Sequence, residues 1–208
     1  MASTLPRGRL ILLEGLDRSG KTTQVARLVS HLNERGSAVA QKFPDRTTEL
    51  GKTIDAYLRA QQELSDEAIH LLFSANRWEL AGWMREQLAA GVDVVLDRYV
   101  ASGVCFSAAK GLDAAWCRAP DVGLPAPDIT FFLDLDPAKA GERAGYGGER
   151  YEIGEFQTKV RGLFLETLAE MLPNVVVVDA GRDIETIAAE LAAAVDALAV
   201  PAAVGVFE

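Results

Sequence analysis

The chain has 208 residues and a formal net charge of −9, with 49% hydrophobic and 25% charged residues. That composition is that of a soluble globular protein with an ample core, and no internal repeat or low-complexity tract interrupts it. The acidic balance argues against nucleic acid as the main ligand, no apolar run reaches membrane-spanning length, and two cysteines with two histidines make neither a disulfide framework nor a metal-ligand spacing. The charge is uneven, however. Residues 1–60 hold ten Lys/Arg and six Asp/Glu, a net of +4, and the remainder holds eleven and twenty-four, a net of −13. A basic N-terminal part on an acidic chain fits a local anion site.

In chain order, Arg9 to Leu13 reads as a buried parallel strand. Gly15-Leu16-Asp17-Arg18-Ser19-Gly20-Lys21-Thr22 follows and fits Gly-x-x-x-x-Gly-Lys-[Ser/Thr], the phosphate-cradling P-loop. Thr22 to Glu34 then reads as an amphipathic helix. Strand, glycine loop and helix are the context this motif needs. Glycines let successive N–H groups turn onto a phosphate, and the helix N-terminus adds partial positive charge. Ser37 to Phe43 is a second strand, and Glu49 to Ala60 a helix. Asp66 to Ala90 carries a helical period through Ile69, Leu72, Phe73, Leu80, Trp83, Met84 and Leu88, and Gly91 ends it. Val92 to Leu96 is a third strand closed by Asp97-Arg98-Tyr99. Asp128 to Leu135 is a fourth, then a short helix runs from Pro137 to Arg143. Gly145 to Gly148 breaks the chain before a helix from Gly154 to Leu172. Val175 to Val178 is a fifth strand, and Asp183 to Leu198 a final helix with an Asp N-cap. Val200 to Glu208 has no pattern and is expected to fray.

Strands alternating with helices make a βαβ series, so the expectation is one α/β domain spanning 1–208: a three-layer P-loop NTPase fold with a five-stranded parallel sheet. Ligands in such sheets sit beyond the carboxyl ends of the strands. Asp17 and Arg18, Asp45 and Arg46, and Asp97 and Arg98 follow the first three strands and should converge there. Lys21 would reach the β- and γ-phosphates and the Thr22 hydroxyl would ligate Mg²⁺. Arg18, inside the loop, could stabilise charge on a transferring phosphoryl group. Asp97 suits a Mg²⁺-water ligand or a proton acceptor, or a plain helix cap. Phe73 and Arg77 lie four apart and share a helix face, as a base-stacking ring beside a donor fork would, though an aromatic at that spacing is more often core.

The motifs together resemble thymidylate kinases of the eukaryotic type. The resemblance is carried by Leu-Glu-Gly-Leu-Asp-Arg-Ser-Gly-Lys-Thr (13–22), Phe-Pro-Asp-Arg-Thr (43–47), Leu-Leu-Phe-Ser-Ala-Asn-Arg-Trp-Glu (71–79), Asp-Arg-Tyr (97–99) with Ser102-Gly103, Pro-Asp-Val-Gly-Leu-Pro (120–125) and Glu-Arg-Tyr-Glu (149–152). It covers Leu10 to about Ala180. It implies transfer of the γ-phosphoryl group of MgATP to dTMP, giving dTDP and ADP for dTTP synthesis. It implies an ATP site at Gly15, Arg18, Ser19, Gly20, Lys21, Thr22, Thr23 and Arg143. The dTMP site it implies comprises Asp17 on the 3′-hydroxyl, Arg46 on the acceptor phosphate, Phe73 and Arg77 on thymine, and Phe43, Arg98, Ser102, Gly103, Phe106 and Tyr151. Arg18, Lys21, Asp97 and Arg98 become the catalytic set, with Thr22 and Asp97 toward the metal. Residues 143–152 resemble a lid, with Arg143 near adenine and Tyr151 beneath the deoxyribose. Trp78, Trp83 and Trp116 read first as core packing; the resemblance also implies a homodimer built on helix packing, with part of this helix face at its interface, and an intracellular, cytoplasmic setting is expected. Three rivals remain at this level: a broader nucleoside monophosphate kinase, an inactive nucleotide-binding module and a GTPase-like switch, the last lacking an Asn-Lys-x-Asp guanine reader.

Overall fold

The computed structural model describes residues 7–141, 148–199 and 202–208. Five strands, β1 (Leu10–Gly15), β2 (Ala38–Lys42), β3 (Asp93–Asp97), β4 (Ile129–Asp134) and β5 (Val175–Asp179), form a sheet in the order β2-β3-β1-β4-β5, every neighbouring pair parallel. Parallel strands need crossovers, and here helices supply them. They are α1 (Lys21–Asn33), α2 (Glu49–Leu58), α3 (Asp66–Glu79), α4 (Ala81–Ala89), α5 (Val100–Ala109), α6 (Ala114–Arg118), α7 (Pro137–Gly141), α8 (Gly154–Met171) and α9 (Ile184–Asp196).

Both faces of the sheet are covered, which explains why β1 and β3 are buried at every residue and read as continuous apolar runs. Alternation along the strands divides the core in two. Leu10, Leu12, Val94, Leu96 and Phe132 face α4, α5 and α8, through Met84, Leu88, Val104 and Phe164. Ile11, Leu13, Val95, Phe131 and Leu133 face α1 and α9, through Val25, Leu28, Leu32, Ile187, Leu191 and Val195. A satellite cluster of Ile54, Tyr57, Leu58, Ile69 and Tyr151 joins α2, α3 and the residues just before α8. Caps mark several helix starts: Thr48, Ser65, Asp113 and Asp183 each accept a backbone N–H two or three residues into the helix that follows.

Three local expectations differ from the structure. The helix expected over 66–90 is two helices, α3 and α4, because the Leu80 N–H bonds to the Arg77 carbonyl three residues back and tightens the turn. Ile69, Met84 and Leu88 are all fully buried, so the apolar period runs across the break and hides it. Helices α5 and α6 were not anticipated. Helix α5 is buried almost all round and consists mainly of small residues, so it has no amphipathic stripe to detect. Residues 202–208 are not frayed: Val206 bridges Pro125 in antiparallel fashion and Phe207 is buried in the core. Cys105 and Cys117 are free and buried.

Candidate functional site

A cavity of about 490 Å³ opens beyond the carboxyl ends of β1, β2 and β3. Its walls include, of the residues singled out above, Asp17, Arg18, Gly20, Lys21, Thr22, Thr23, Phe43, Arg46, Phe73, Arg77, Asp97, Arg98, Ser102, Gly103, Phe106 and Tyr151. Gly15 and Ser19 belong to the same loop but do not line the cavity. Arg143 and the lid residues through 147 lie outside the described residues.

The P-loop needs its glycines for stated reasons. Gly15 has φ 147°, and a Cβ there would lie 2.6 Å from the Leu133 carbonyl oxygen on β4. Gly20 caps α1 in the left-handed region at φ 98°. Arg18 also has positive φ, 62°. Buried Lys21 donates from Nζ to the Gly15 carbonyl at 3.1 Å, the Leu16 carbonyl at 2.6 Å and Ser19 Oγ at 3.2 Å. Burial, then Arg98 beside it, pushes the Lys21 pKa down to about 7, with Asp97, Asp17 and Glu14 opposing. Thr22 Oγ1 donates to Asp97 Oδ2 at 2.6 Å. Asp97 Oδ1 is buried and has no hydrogen-bond partner among the described residues. An unpaired buried carboxylate oxygen beside a P-loop hydroxyl is a donor set that fits a hard cation held through oxygen and water.

Arg98 follows β3 in the left-handed region, φ 71°, and its side chain lies back over the P-loop. It donates from Nη1 to the Gly15 carbonyl at 2.9 Å and Ser102 Oγ at 3.0 Å, and from Nη2 to Asp17 Oδ1 at 2.6 Å. Its guanidinium also sits 5.3 Å from the Phe106 ring centre. Burial raises the Asp17 carboxyl, but Arg98 and Lys21 outweigh it and hold the group below its usual range. Gln157 Nε2 donates to the other Asp17 oxygen at 2.7 Å. Behind the loop, fully buried Glu14 accepts the Tyr99 and Ser102 N–H groups at 2.9 and 3.0 Å and the Ser102 hydroxyl at 2.6 Å. Burial pushes the Glu14 carboxyl up, against Arg98 and these hydrogen bonds.

All four described arginines of the cavity wall pair with carboxylates, Arg77 with Asp121. Arg98 takes Asp17. Arg18 Nε donates to Glu152 Oε1 at 3.1 Å. Arg46 makes a two-point contact with Glu149 at 2.7 and 3.0 Å and also reaches Asp55 Oδ1 at 2.6 Å. Glu152 Oε2 in turn accepts the Gly148 N–H at 2.8 Å. A phosphate entering this space meets cations whose present partners it must displace.

At the far end of the cavity Phe73 is half-buried beside Arg77. Arg77 is held in a two-point pair with Asp121, Nε to Oδ1 at 3.0 Å and Nη2 to Oδ2 at 2.6 Å, and both side chains are almost wholly buried. Ser74 Oγ also donates to Asp121, at 2.7 Å. Gly103 lies against the guanidinium, where a Cβ would come within 2.8 Å of Nη2. The Tyr151 hydroxyl accepts from Lys110 Nζ at 3.2 Å, its ring stacks on Phe156 at 5.3 Å, and burial pushes its phenol up.

Sequence reasoning missed Lys42 on the cavity wall and Gln157 behind it, and gave no role to Tyr99, Glu149 and Glu152 on the wall or to Glu14 and Asp121 behind it, although these five stand in the motifs quoted above. Glu14 and Asp121 each carried a signal: a charge inside or beside an apolar, buried segment has to be paired.

The family model described as Thymidylate kinase matches residues 13–191. The chain is 55% identical over 170 residues to a thymidylate kinase of Arabidopsis thaliana, a match covering 81% of this chain and 64% of that protein. It is 48% identical over 183 residues to a thymidylate kinase of Danio rerio, covering 87% and 86%. Its fold is similar to a solved thymidylate kinase from Candida albicans, with a TM-score of 0.84, 42% identity and 93% of each chain covered.

Proposed function

This chain belongs to the thymidylate kinase family, and from that membership and the geometry of its cavity we propose that it transfers the γ-phosphoryl group of MgATP to dTMP. The products are dTDP and ADP. The observation that carries the reading is the convergence of Lys21, Arg18, Arg46 and Arg98 on one cavity whose far end holds Phe73 and Arg77. Four cations suit two phosphate-bearing substrates, and a ring beside a donor fork suits a base with a carbonyl edge.

In this reading Lys21 and the P-loop amides hold the donor phosphates, and Arg18 lies along the γ-phosphoryl group. Arg46 takes the acceptor phosphate, and Arg98 bridges acceptor and donor. The bond from the γ-phosphorus to the bridging oxygen of ADP breaks as an oxygen of the dTMP phosphate bonds to that phosphorus. Such a transfer needs little covalent help, and positioning with charge neutralisation supplies most of the barrier lowering. Thr22 and Asp97, directly or through water, are the residues that would hold Mg²⁺, which when bound neutralises charge on the phosphate oxygens. Asp17 is oriented toward the 3′-hydroxyl by Arg98 and Gln157. Phe73 stacks on thymine, and Phe43 and Phe106 complete the apolar wall. Gly103 makes room for Arg77, whose donors meet a carbonyl acceptor and reject an amino group. Tyr151 closes on the deoxyribose, with Ser102 behind Arg98. Gly15, Ser19, Gly20 and Thr23 complete the ATP cradle. Arg143, on adenine, and the lid over 143–152 are part of the same proposal.

We read the whole of 1–208 as one domain, since all cavity segments hang from one sheet. Exposed Leu71, Trp78, Trp116 and Val122 on and beside α3 and α6 support pairing of two chains through that face. Nucleotide substrates and two free cysteines support an intracellular, cytoplasmic setting. No described helix is long and apolar enough to cross a membrane.

The test is a coupled ADP-release assay with MgATP against dTMP, dUMP, dCMP, dGMP, dAMP and UMP. Strong turnover on dTMP, weak on dUMP and little elsewhere is expected. Comparable turnover on purine nucleotides replaces the reading with a broad monophosphate kinase, and silence on all acceptors with ATP bound replaces it with an inactive module.

A further inference from the structure

Residues 202–208, Ala-Ala-Val-Gly-Val-Phe-Glu, lie beyond the stretch 13–191 that the family model matches. They are nevertheless built into the fold. The Ala126 N–H donates to the Gly205 carbonyl at 2.8 Å, the Gly123 N–H to the Phe207 carbonyl at 2.9 Å, and the Phe207 N–H to the Leu124 carbonyl at 3.0 Å. Arg7 Nη2 adds a bond to the Ala203 carbonyl at 3.0 Å. Phe207 is 3% exposed and packs in the cluster that holds Leu124 and Tyr99.

Two walls of the cavity rest on this segment. The Phe207 ring lies 5.8 Å from Tyr99, and Tyr99 lies 5.5 Å from Phe43. Tyr99 and Phe43 line the cavity, so a row of three rings runs from the segment to the cavity wall. Tyr99 Oη is buried with no hydrogen-bond partner among the described residues, so ring packing and not a hydrogen bond sets where this side chain sits. The second wall is Arg77. Its orienting carboxylate, Asp121, stands two residues before Gly123, which donates its N–H to Phe207. Gly123 has φ 95°, and a Cβ there would lie 3.4 Å from Trp78 on α3.

We propose that segment 202–208 is a brace for the acceptor end of the cavity and that Phe207 is a positioning residue acting through Tyr99 and through the 121–124 turn. The inference rests on the reading above that this end binds the acceptor nucleoside. Interiors are close-packed, so removing the Phe207 ring lets Tyr99 and the turn relax into the space, and the base pocket loosens with them. Lys21 of the P-loop keeps its own bonds to the Gly15 and Leu16 carbonyls, which do not involve Phe207.

The experiment compares Phe207→Ala and Phe207→Leu with the unaltered protein in steady-state kinetics. Phe207→Ala is expected to raise KM for dTMP about ten- to a hundredfold and to narrow the preference for dTMP over dCMP, with KM for ATP changed by no more than about twofold. Phe207→Leu, which refills most of the volume, recovers most of both and serves as the test if the alanine variant does not fold. A lowered melting temperature with both KM values and the dTMP-to-dCMP preference unchanged overturns the brace, since a merely structural residue does that. The acceptor panel on the unaltered protein comes first. If it prefers another nucleoside monophosphate, the dTMP reading falls and the same two ratios, read on that acceptor, still decide the brace.

Discussion

Arg18 and Lys21 are three residues apart, yet they ask different things of the loop. Arg18 is 39% exposed along its side chain and is held by Glu152, so it can move with the residues around 148–152. In Arg18→Ala, kcat is expected to fall by about a thousandfold, the low end for a charge-stabilising arginine, while dTMP affinity by calorimetry is retained. Lys21 is buried, and burial with Arg98 pushes its pKa down to about 7. Phosphates favour its ammonium form. Below pH 7 the amine already carries its proton, and above it binding must take one up, so ATP affinity weakens as pH rises past 7. Calorimetry at pH 8 in buffers of different ionisation enthalpy checks this: proton uptake on ATP binding is expected, and a buffer-independent heat shows a lysine that was charged throughout. Asp121 and Arg77 are a buried pair whose partners cannot be separated cheaply. Asp121→Ala strands the guanidinium and is expected to cost about 3–5 kcal/mol in urea unfolding.

Elements reach the site through their ends. β1, β2 and β3 each stop at the cavity, and residues at their ends or within four positions beyond carry the chemistry, so burial along the strands and function at their tips do not compete. Helix α3 does both tasks along its length: Ile69 is core, and Phe73 and Arg77 face the cavity. Its start is fixed by Ser65, whose side chain accepts the Ala68 N–H at 3.3 Å. Ser65→Ala is expected to lower stability by about 1 kcal/mol with kcat and KM unchanged, read from the urea midpoint and the coupled assay. The break at Leu80 was illegible because the apolar period continues through it. Helix α5 was illegible because it is buried on nearly every side.

Across the molecule, the segment 148–152 makes ion pairs with Arg46 before α2, with Glu63 after it and with Arg18 of the P-loop. Glu149 sits on Arg46, the cation proposed to take the acceptor phosphate, and both side chains are about one-third exposed. A carboxylate there competes with a phosphate for one guanidinium. Glu149→Gln is therefore expected to lower KM for dTMP about two- to fivefold, the scale of a partly exposed ion pair, with the gain shrinking at high salt. An unchanged KM at low salt removes Glu149 as a competitor. The segment 202–208 reaches the same cavity through packed rings.

Local order carried much of this. The glycines of 15–20, the lysine after them and the flanking strand and helix named a phosphate site, because backbone conformation and dipole are properties of adjacent residues. The five strands and the chemistry at their ends were legible for the same reason: an apolar run and the charge that stops it are neighbours in the chain. Tertiary structure decided what depends on residues far apart. Glu14 meets Ser102 across 88 positions, Arg46 meets Glu149 across 103 and Asp17 meets Gln157 across 140. Phe207 meets Tyr99 only because Gly123 and Leu124 hold its backbone. A patternless segment looks free in a sequence because its partners are supplied by other parts of the chain, and only packing determines whether a lone aromatic such as Phe207 is solvated or buried.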